Sequence, residues 1–242
     1  MSPKFPGPIS AEQLRRLSTM WKQGEHILIS GPTGSGKSTL ARQLAEIRLR
    51  RGGAVIVFVM KILPDETILK EYKGWTRWTR MKRKPNVTER RILLQPDFSR
   101  AKTMKEKLAI QRAIFSEALD IISEKGKWTV INDEGLWLCD PKYLGLATEW
   151  AMMHAVVGRA GKNSNITLIQ RPSEVPLILY GSAAHAFAGK TTEDVDAKRL
   201  SKLGGWNSKN DLLELISNQN IVDYQWIQAR SANPPELFNL AK

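Results

Sequence analysis

Apolar runs and amphipathic segments alternate along most of the chain. Residues 54–60 are apolar at every position, which predicts a strand buried on both faces inside a parallel sheet. Shorter apolar runs predict further strands over residues 26–30, 91–95, 127–132, 165–170 and 184–188. Helical patterns between them predict helices over residues 10–23, 38–51, 102–125 and 143–157. This order predicts an α/β fold, with a mainly parallel central sheet and helices on both faces.

The chain shows no internal repeat and no low-complexity linker. Residues 1–24, with three prolines among the first eight, are expected to form an N-terminal arm and a short helix. Residues 25–242 are expected to form one domain that includes a C-terminal tail. The longest apolar run is too short for a transmembrane segment, the N-terminus carries no secretion signal, and the single Cys139 excludes an intrachain disulfide. These features predict a soluble protein of a reducing compartment.

The charge balance is strongly basic. Thirty-seven Lys and Arg residues stand against 24 Asp and Glu residues, so the formal net charge is +13. Such an excess favours a polyanionic partner, either nucleic acid or an anionic membrane surface.

A phosphate-binding sequence follows the first predicted strand. Residues 31–39 match the P-loop (Walker A) pattern G-x-x-x-x-G-K-[ST] between a strand and a helix, the context that the motif requires. In such a loop backbone N–H groups surround the phosphates, Lys37 reaches the β- and γ-phosphates, and Ser38 ligates Mg²⁺. The sequence therefore predicts a site for ATP and Mg²⁺ formed by Gly31, Pro32, Thr33, Gly34, Ser35, Gly36, Lys37, Ser38 and Thr39.

Two further strands end in polar residues suited to hydrolysis. The apolar strand before Asp133 and Glu134 resembles a Walker B segment, in which Asp133 would hold Mg²⁺ through water and Glu134 would act as general base. The later strand ends at Gln170, which is expected to face the γ-phosphate because ligands lie beyond the carboxyl ends of parallel strands. The adjacent Glu134 favours water as the nucleophile.

With these elements, the chain resembles the FtsK–HerA superfamily of DNA-pumping ATPases. The matching stretches are residues 31–39, 130–134, 158–166 and 167–173, with weaker likeness over 185–190, 194–203, 224–230 and 235–238. The run Gln-Arg-Pro-Ser at the end of the last of these four stretches is a fairly specific match to the family's pattern. Because little lies outside this core, the chain is most similar to the genome-packaging ATPases of tailless icosahedral, often membrane-containing, DNA viruses.

The resemblance implies a RecA-like motor domain over residues 25–242. It implies a homo-oligomeric ring, usually a hexamer, that hydrolyses ATP at subunit interfaces and moves double-stranded DNA. It places Arg159 as an arginine supplied to the neighbouring subunit's nucleotide, with Arg171 as the competing candidate. Viral portal, capsid or membrane proteins are the implied partners, and the host cytoplasm or a capsid vertex of the virion is the implied location.

One basic segment is the predicted DNA contact. Between residues 73 and 91 there are eight basic side chains, one acid, and the interleaved Trp75 and Trp78. Two interpretations stay open: the tryptophans stack on nucleic acid while the cations follow phosphates, or they pack in the protein beneath a solvated basic face. Contact with lipid or capsid is a third use. The predicted DNA-binding residues are Lys73, Arg77, Arg80, Lys82, Arg83, Lys84 and, in a pore loop after Glu134, Lys142.

Other classes of protein share parts of this pattern. A small-molecule kinase or a prenyl-type transferase can carry the same P-loop, but the Asp133–Glu134 pair and the run after Gln170 argue against it. A helicase loader or plasmid-partition switch, a plasmid or host translocase, and a membrane-associated assembly protein stay open. The absence of a Leu-Ser-Gly-Gly-Gln run disfavours an ABC-type ATPase.

Overall fold

The computed structural model describes residues 11–63, 66–82, 89–153, 158–177, 179, 182–191, 193–200, 225–230 and 233–239. Its strands are β1 (His26–Ser30), β2 (Ala54–Phe58), β3 (Thr76–Trp78), β4 (Arg91–Leu94), β5 (Trp128–Asn132), β6 (Ser164–Ile169), β7 (Ala183–Ala188), β8 (Gln225–Arg230) and β9 (Asn233–Asn239). Its helices are α1 (Ala11–Met20), α2 (Lys37–Arg50), α3 (Glu66–Glu71), α4 (Met104–Lys125), α5 (Gly135–Cys139), α6 (Ala147–Met152), α7 (Gly158–Gly161) and α8 (Asp194–Leu200).

The nine strands of the described residues form one sheet in the order β3-β4-β2-β5-β6-β1-β7-β8-β9. The first seven strands in this order pair in parallel, and β8 and β9 extend the sheet as antiparallel strands. The predicted mainly parallel α/β fold is confirmed, and every predicted strand is present within one or two residues. The short edge strand β3 was not predicted, because its three residues lie within the basic segment and carry too little apolar pattern.

Each face of the sheet has its own hydrophobic core. Alternate residues of β2 point to opposite sides: Val55 and Val57 join one core, while Ile56 and Phe58 join the other. On the first side the strand packs with Leu40 and neighbouring residues of α2. Helices therefore cover both faces, as the apolar run through β2 predicts.

Helix α4 covers the second face. A capping box begins it: the Thr103 side chain accepts a hydrogen bond from the backbone N–H of Glu106, whose side chain binds back to the N-cap. Phe115 in its middle stacks on Phe58 of β2, with ring centroids 4.6 Å apart. Helix α4 thus packs on β2, the strand that lies next to β5 in the sheet.

A buried amide joins the amino ends of β5 and β6 to α4. Asn163 accepts a hydrogen bond from the backbone N–H of Trp128 (2.9 Å) and donates one to the carbonyl of Ile122 (3.0 Å). The backbone N–H of Lys127 donates to the carbonyl of Gly161 (2.7 Å). These contacts hold α7 against the end of α4, at the edge of the sheet where β6 begins.

The helix predicted over residues 143–157 begins later than expected. The described helix α6 spans Ala147–Met152, and residues 154–157 lie outside the described part of the chain. Before it, the backbone N–H groups of Tyr143 and Gly145 both donate to the carbonyl of Asp140, and Gly145 has a left-handed φ of 59°. This turn delays the start of the helix. No helix in the described ranges has the length and apolar character needed to span a membrane.

Candidate active site

The loop between β1 and α2 has the backbone turns that the phosphate-binding motif requires. Gly34 and Gly36 have φ angles of 81° and 88°, in the left-handed region that glycine adopts readily. Gly36 is also the N-cap residue that directly precedes α2. The backbone N–H of Gly31 donates to the carbonyl of Ile169 (3.1 Å), which ties the loop to the end of β6.

Lys37 lies folded under this loop. Its Nζ donates to the carbonyl oxygens of Gly31 (2.8 Å) and Pro32 (2.9 Å), and the residue is 8% exposed. Burial lowers the pKa of the Lys37 ammonium, while the negative charges of Glu134 and Asp133 oppose this decrease. A cationic donor is therefore held at the first turn of α2, where the helix dipole also favours an anion.

Ser38 and Asp133 meet across the gap between α2 and β5. The Ser38 hydroxyl donates to Oδ1 of Asp133 at 3.2 Å. Burial raises the pKa of the Asp133 carboxyl, and the Ser38 hydrogen bond and the charges of Lys61 and Lys37 oppose this increase. A hydroxyl oxygen and a carboxylate placed together suit a hard cation such as Mg²⁺, so these two residues fit the predicted metal ligands.

Glu134 and Gln170 are joined directly. Nε2 of Gln170 donates to Oε2 of Glu134 at 2.6 Å, and Oε1 of Gln170 accepts a hydrogen bond from the Thr33 hydroxyl at 3.0 Å. Burial raises the pKa of Glu134, whereas the positive charge of Lys37 and the hydrogen bond from Gln170 lower it. The predicted base and the predicted γ-phosphate sensor therefore lie in contact, beside the loop.

Sheet order explains why residues from three parts of the chain converge. Strand β6 lies between β5 and β1 and pairs in parallel with both. Their carboxyl ends consequently carry Asp133, Gln170 and the loop after Ser30 to one edge. Gly135 allows α5 to start against β6, since a Cβ there would lie only 2.7 Å from Cγ2 of Ile169.

Two residues near the site were missed by the sequence analysis. Lys61 follows β2, the strand beside β5, and its charge stabilises the ionised form of Asp133. Its position directly after a buried strand was the available signal. Trp226 of β8 is fully buried, and its ring would lie 3.3 Å from a Cβ on Gly31 and 3.1 Å from one on Gly189. Strand pairing between β7 and β8 places this ring behind the loop, which sequence spacing does not reveal.

The two candidate arginines occupy different edges of the sheet. Arg171 directly follows Gln170, but its Nε lies 3.2 Å from Oδ2 of Asp196, and Oδ1 of Asp196 accepts a hydrogen bond from the backbone of Ser173 (2.8 Å). Arg159 lies in α7, before the start of β6, and its side chain lies outside the described part of the chain. Six strand residues, about 20 Å, separate the two ends of β6. The backbone of Arg159 is therefore remote from the P-loop of the same chain.

The basic segment presents cations but buries its tryptophans. Trp75 and Trp78 are 9% and 3% exposed and belong to the two hydrophobic cores, so packing is the interpretation that the structure supports. Arg80 is 70% exposed at its side chain and lies 3.5 Å from Glu117, and Lys82 lies over the Trp78 ring. The predicted DNA contacts divide as follows: Lys73, Arg77, Arg80, Lys82 and Lys142 are exposed, whereas Arg83 and Lys84 lie outside the described residues.

Solved structures share this architecture. The genome-packaging NTPase B204 from Sulfolobus turreted icosahedral virus 2, in complex with sulfate, matches with a TM-score of 0.63 and 15% identity, over 90% of this chain and 98% of that one. The same protein in complex with ATP-γS matches with a TM-score of 0.61 and 15% identity, over 89% and 96% of the two chains. VirB4 of Thermoanaerobacter pseudethanolicus matches with a TM-score of 0.61 and 11% identity, over 90% and 89%.

This chain has the fold of a P-loop ATPase. At these identities the likeness establishes the fold, which is RecA-like as predicted. These neighbours have the fold that the resemblance noted in the sequence implies, so that expectation is confirmed for the fold.

Two sequence comparisons each match only part of the chain. Residues 7–77 match the family model described as Sigma-54 interaction domain. The matched residues make up less than a third of this chain. The energy-coupling factor transporter ATP-binding protein EcfA2 of Mycoplasma mobile is 30% identical over 99 residues, or 41% of this chain. The aligned part makes up only 27% of that relative's length. Both matches are therefore too short to assign this chain to the family concerned.

Replacing Asp133 by Asn is expected to stabilise the protein in the absence of nucleotide and metal. A carboxyl whose pKa is raised in the folded state costs more free energy to ionise there than in the unfolded chain. Ionised Asp133 therefore destabilises the fold at pH 7. Each unit of increase corresponds to about 1.4 kcal/mol. Asn retains an oxygen that accepts the Ser38 hydrogen bond. Urea unfolding at pH 7 with EDTA should show a higher midpoint for D133N, and the difference should shrink as the pH falls toward about 3.9, the ordinary Asp pKa.

The control for this experiment is Asp97→Asn. Hydrogen bonds from the backbone and hydroxyl of Ser99 lower the pKa of the exposed Asp97 carboxyl. Its ionised form therefore favours folding above the ordinary Asp pKa, and D97N should shift the midpoint in the opposite direction at pH 7. A D133N midpoint at or below that of the wild type would contradict the assigned effect of burial.

Proposed function

We propose that this chain is an ATP-driven double-stranded DNA translocase that works as a homo-oligomeric ring, and that the ring packages a viral genome. The observation that carries the proposal is the convergence of Lys37, the Ser38–Asp133 pair and the Glu134–Gln170 pair at one edge of the sheet. The viral role draws support from the genome-packaging NTPase B204, whose fold matches this chain over nearly its whole length.

Each group has a role in hydrolysis that follows from its placement. Lys37 and the loop N–H groups bind the triphosphate, and the field of α2 adds to the attraction. Bound Mg²⁺, held by Ser38 and by Asp133 through water, would neutralise charge on the phosphate oxygens. Glu134 accepts a proton from the attacking water, and burial makes this carboxylate a stronger base than an exposed one. Gln170, in contact with Glu134, is placed to detect the γ-phosphate.

The ring is proposed because Arg159 lies far from the nucleotide site of its own chain. In a ring, the Arg159 side chain of a neighbouring subunit can supply a positive charge to that site. An arginine beside the γ-phosphate contributes about 10³ to 10⁵ in rate in other nucleotide hydrolases. Arg171 is held by Asp196 of the same subunit, which makes Arg159 the better candidate for contact across an interface. A hexamer is the ring size that the family resemblance implies.

Double-stranded DNA is the proposed polymer because of the +13 net charge and the exposed cations around β3. The tryptophans there are buried, so contact through phosphates rather than stacking on bases is proposed. Viral portal, capsid or membrane proteins are the proposed partners, and the host cytoplasm or a capsid vertex is the proposed location.

Linear double-stranded DNA is expected to stimulate steady-state hydrolysis of Mg²⁺-ATP, and Glu134→Gln is expected to lower the rate of hydrolysis by about 10² to 10⁴-fold. The substitution keeps the shape of the side chain but removes the base. Lys37→Ala is the matched variant, because it should lose nucleotide affinity as well as rate. A rate of hydrolysis that DNA does not change would favour a nucleotide switch, and phosphate transfer to a soluble acceptor would favour a kinase.

Reversing the charge of Lys73 and Arg80 is expected to weaken DNA binding and to flatten its dependence on salt. Every DNA phosphate that the variant no longer neutralises should reduce the slope of log affinity against log salt by about 0.9. The double variant Lys105→Glu and Lys125→Glu, at two exposed residues of α4, supplies the same change of charge elsewhere on the protein. Fluorescence anisotropy with a labelled duplex measures both slopes. An unchanged slope for the K73E/R80E variant would remove this surface from the DNA path.

Mixing Arg159→Ala subunits with Lys37→Ala subunits is expected to restore part of the hydrolysis that each variant lacks alone. In mixed rings an intact P-loop can meet an intact Arg159 from its neighbour. A mixture of Arg171→Ala subunits with Lys37→Ala subunits should recover less hydrolysis, because Arg171 is paired with Asp196 of its own subunit. Recovery at background level with Arg159→Ala would contradict its role across the interface.

A further inference from the structure

A chain of two hydrogen bonds joins the P-loop to the acidic end of β5. Thr33 Oγ1 donates to Oε1 of Gln170 at 3.0 Å, and Nε2 of Gln170 donates to Oε2 of Glu134 at 2.6 Å. We infer that Thr33 is a positioning residue whose hydroxyl sets the orientation of the Gln170 amide and thereby holds Glu134 in place. This inference rests on the proposed function, in which Glu134 is the general base.

The chemistry of the amide gives Thr33 this role. A carboxamide has an acceptor end and a donor end of nearly equal shape, so its shape alone selects neither orientation. An ionised Glu134 carboxylate can only accept, so it needs the NH₂ end. The Thr33 hydroxyl can donate to the oxygen end. If the amide rotated by 180°, its oxygen would face the carboxylate, and the hydrogen bond to Glu134 would break.

Packing of neighbouring side chains cannot replace this hydroxyl in fixing the orientation of the Gln170 amide. Thr33 and Gln170 are both exposed, although β6 before Gln170 is buried throughout. An exposed side chain retains rotational freedom unless polar contacts restrict it. The two hydrogen bonds at opposite ends of the amide supply that restriction.

Glu134 depends on this contact for its direction. Its carboxylate receives a hydrogen bond from Gln170, and that contact lowers the pKa of Glu134 against the effect of burial. A donor fixed at one carboxylate oxygen restricts the rotation of the carboxylate, and without it the side chain is freer to turn. Misplacement of a catalytic group by a fraction of an ångström to one ångström costs rate without costing substrate affinity. Loss of the Thr33 hydroxyl should therefore lower kcat rather than the affinity for ATP.

Thr33→Val tests the inference directly. Valine keeps the β-branched shape but cannot donate, and Thr33→Ser keeps the hydroxyl while removing the methyl group. We expect T33V to lower kcat for Mg²⁺-ATP hydrolysis about ten-fold, the effect of one hydrogen bond, with KM and the affinity for a fluorescent ATP analogue unchanged. T33S should keep most of the wild-type kcat. Equal losses in T33S and T33V, or a parallel fall in nucleotide affinity, would overturn the positioning role.

A double-mutant cycle with Gln170→Ala separates action through the amide from an independent action in the loop. If Thr33 works through Gln170, T33V should cause no further loss of kcat in the Q170A background. A full additional ten-fold loss would show that Thr33 acts by another route and would overturn the inference alone. A wild-type rate in Glu134→Gln would instead overturn the proposed function, and with it this inference.

Discussion

The parallel pairing of β6 with β5 on one side and β1 on the other is the constraint on which the site depends. Register joins Ser30 to Ile169 and Asn132 to Thr167, so β1 ends level with β6 and β5 ends only two residues earlier. The residues that follow them, Asp133, Gly31 and Gln170, therefore emerge at one edge of the sheet, within two residues of the same level. A shift of register would separate the acids from the loop while leaving each sequence motif intact.

Burial of charge at this edge is tolerated because opposite charges and donors are held close together. Burial disfavours the ionised forms of Lys37, Asp133 and Glu134, yet each lies in the field of another. Hydrogen bonds from Ser38 to Asp133 and from Gln170 to Glu134 add to this compensation. Such an arrangement is less stable than an apolar one but is ready to bind phosphate and metal, which is a common compromise at functional sites.

The carboxyl and amino ends of the parallel strands carry different groups of residues. At the carboxyl end, polar side chains surround the loop, and Trp226 supports it from behind. At the amino end, Asn163 and close backbone contacts hold α7 to α4. In the proposed ring, a helix fixed at the edge far from the P-loop of its own chain could face the nucleotide of a neighbouring subunit. The fold thus allows one chain to present a nucleotide pocket at one edge and a candidate arginine at the other.

The sequence by itself determined the parallel α/β fold, the P-loop, and the polar residues that end β5 and β6. These follow from local patterns, since an apolar run predicts a buried strand and a motif lies at fixed spacing. Only the tertiary structure decided that Trp75 and Trp78 are core residues, that Arg171 is paired with Asp196, and that Thr33 reaches Gln170. Thr33 and Gln170 are 137 positions apart, and such contacts arise from strand order, which no local pattern encodes.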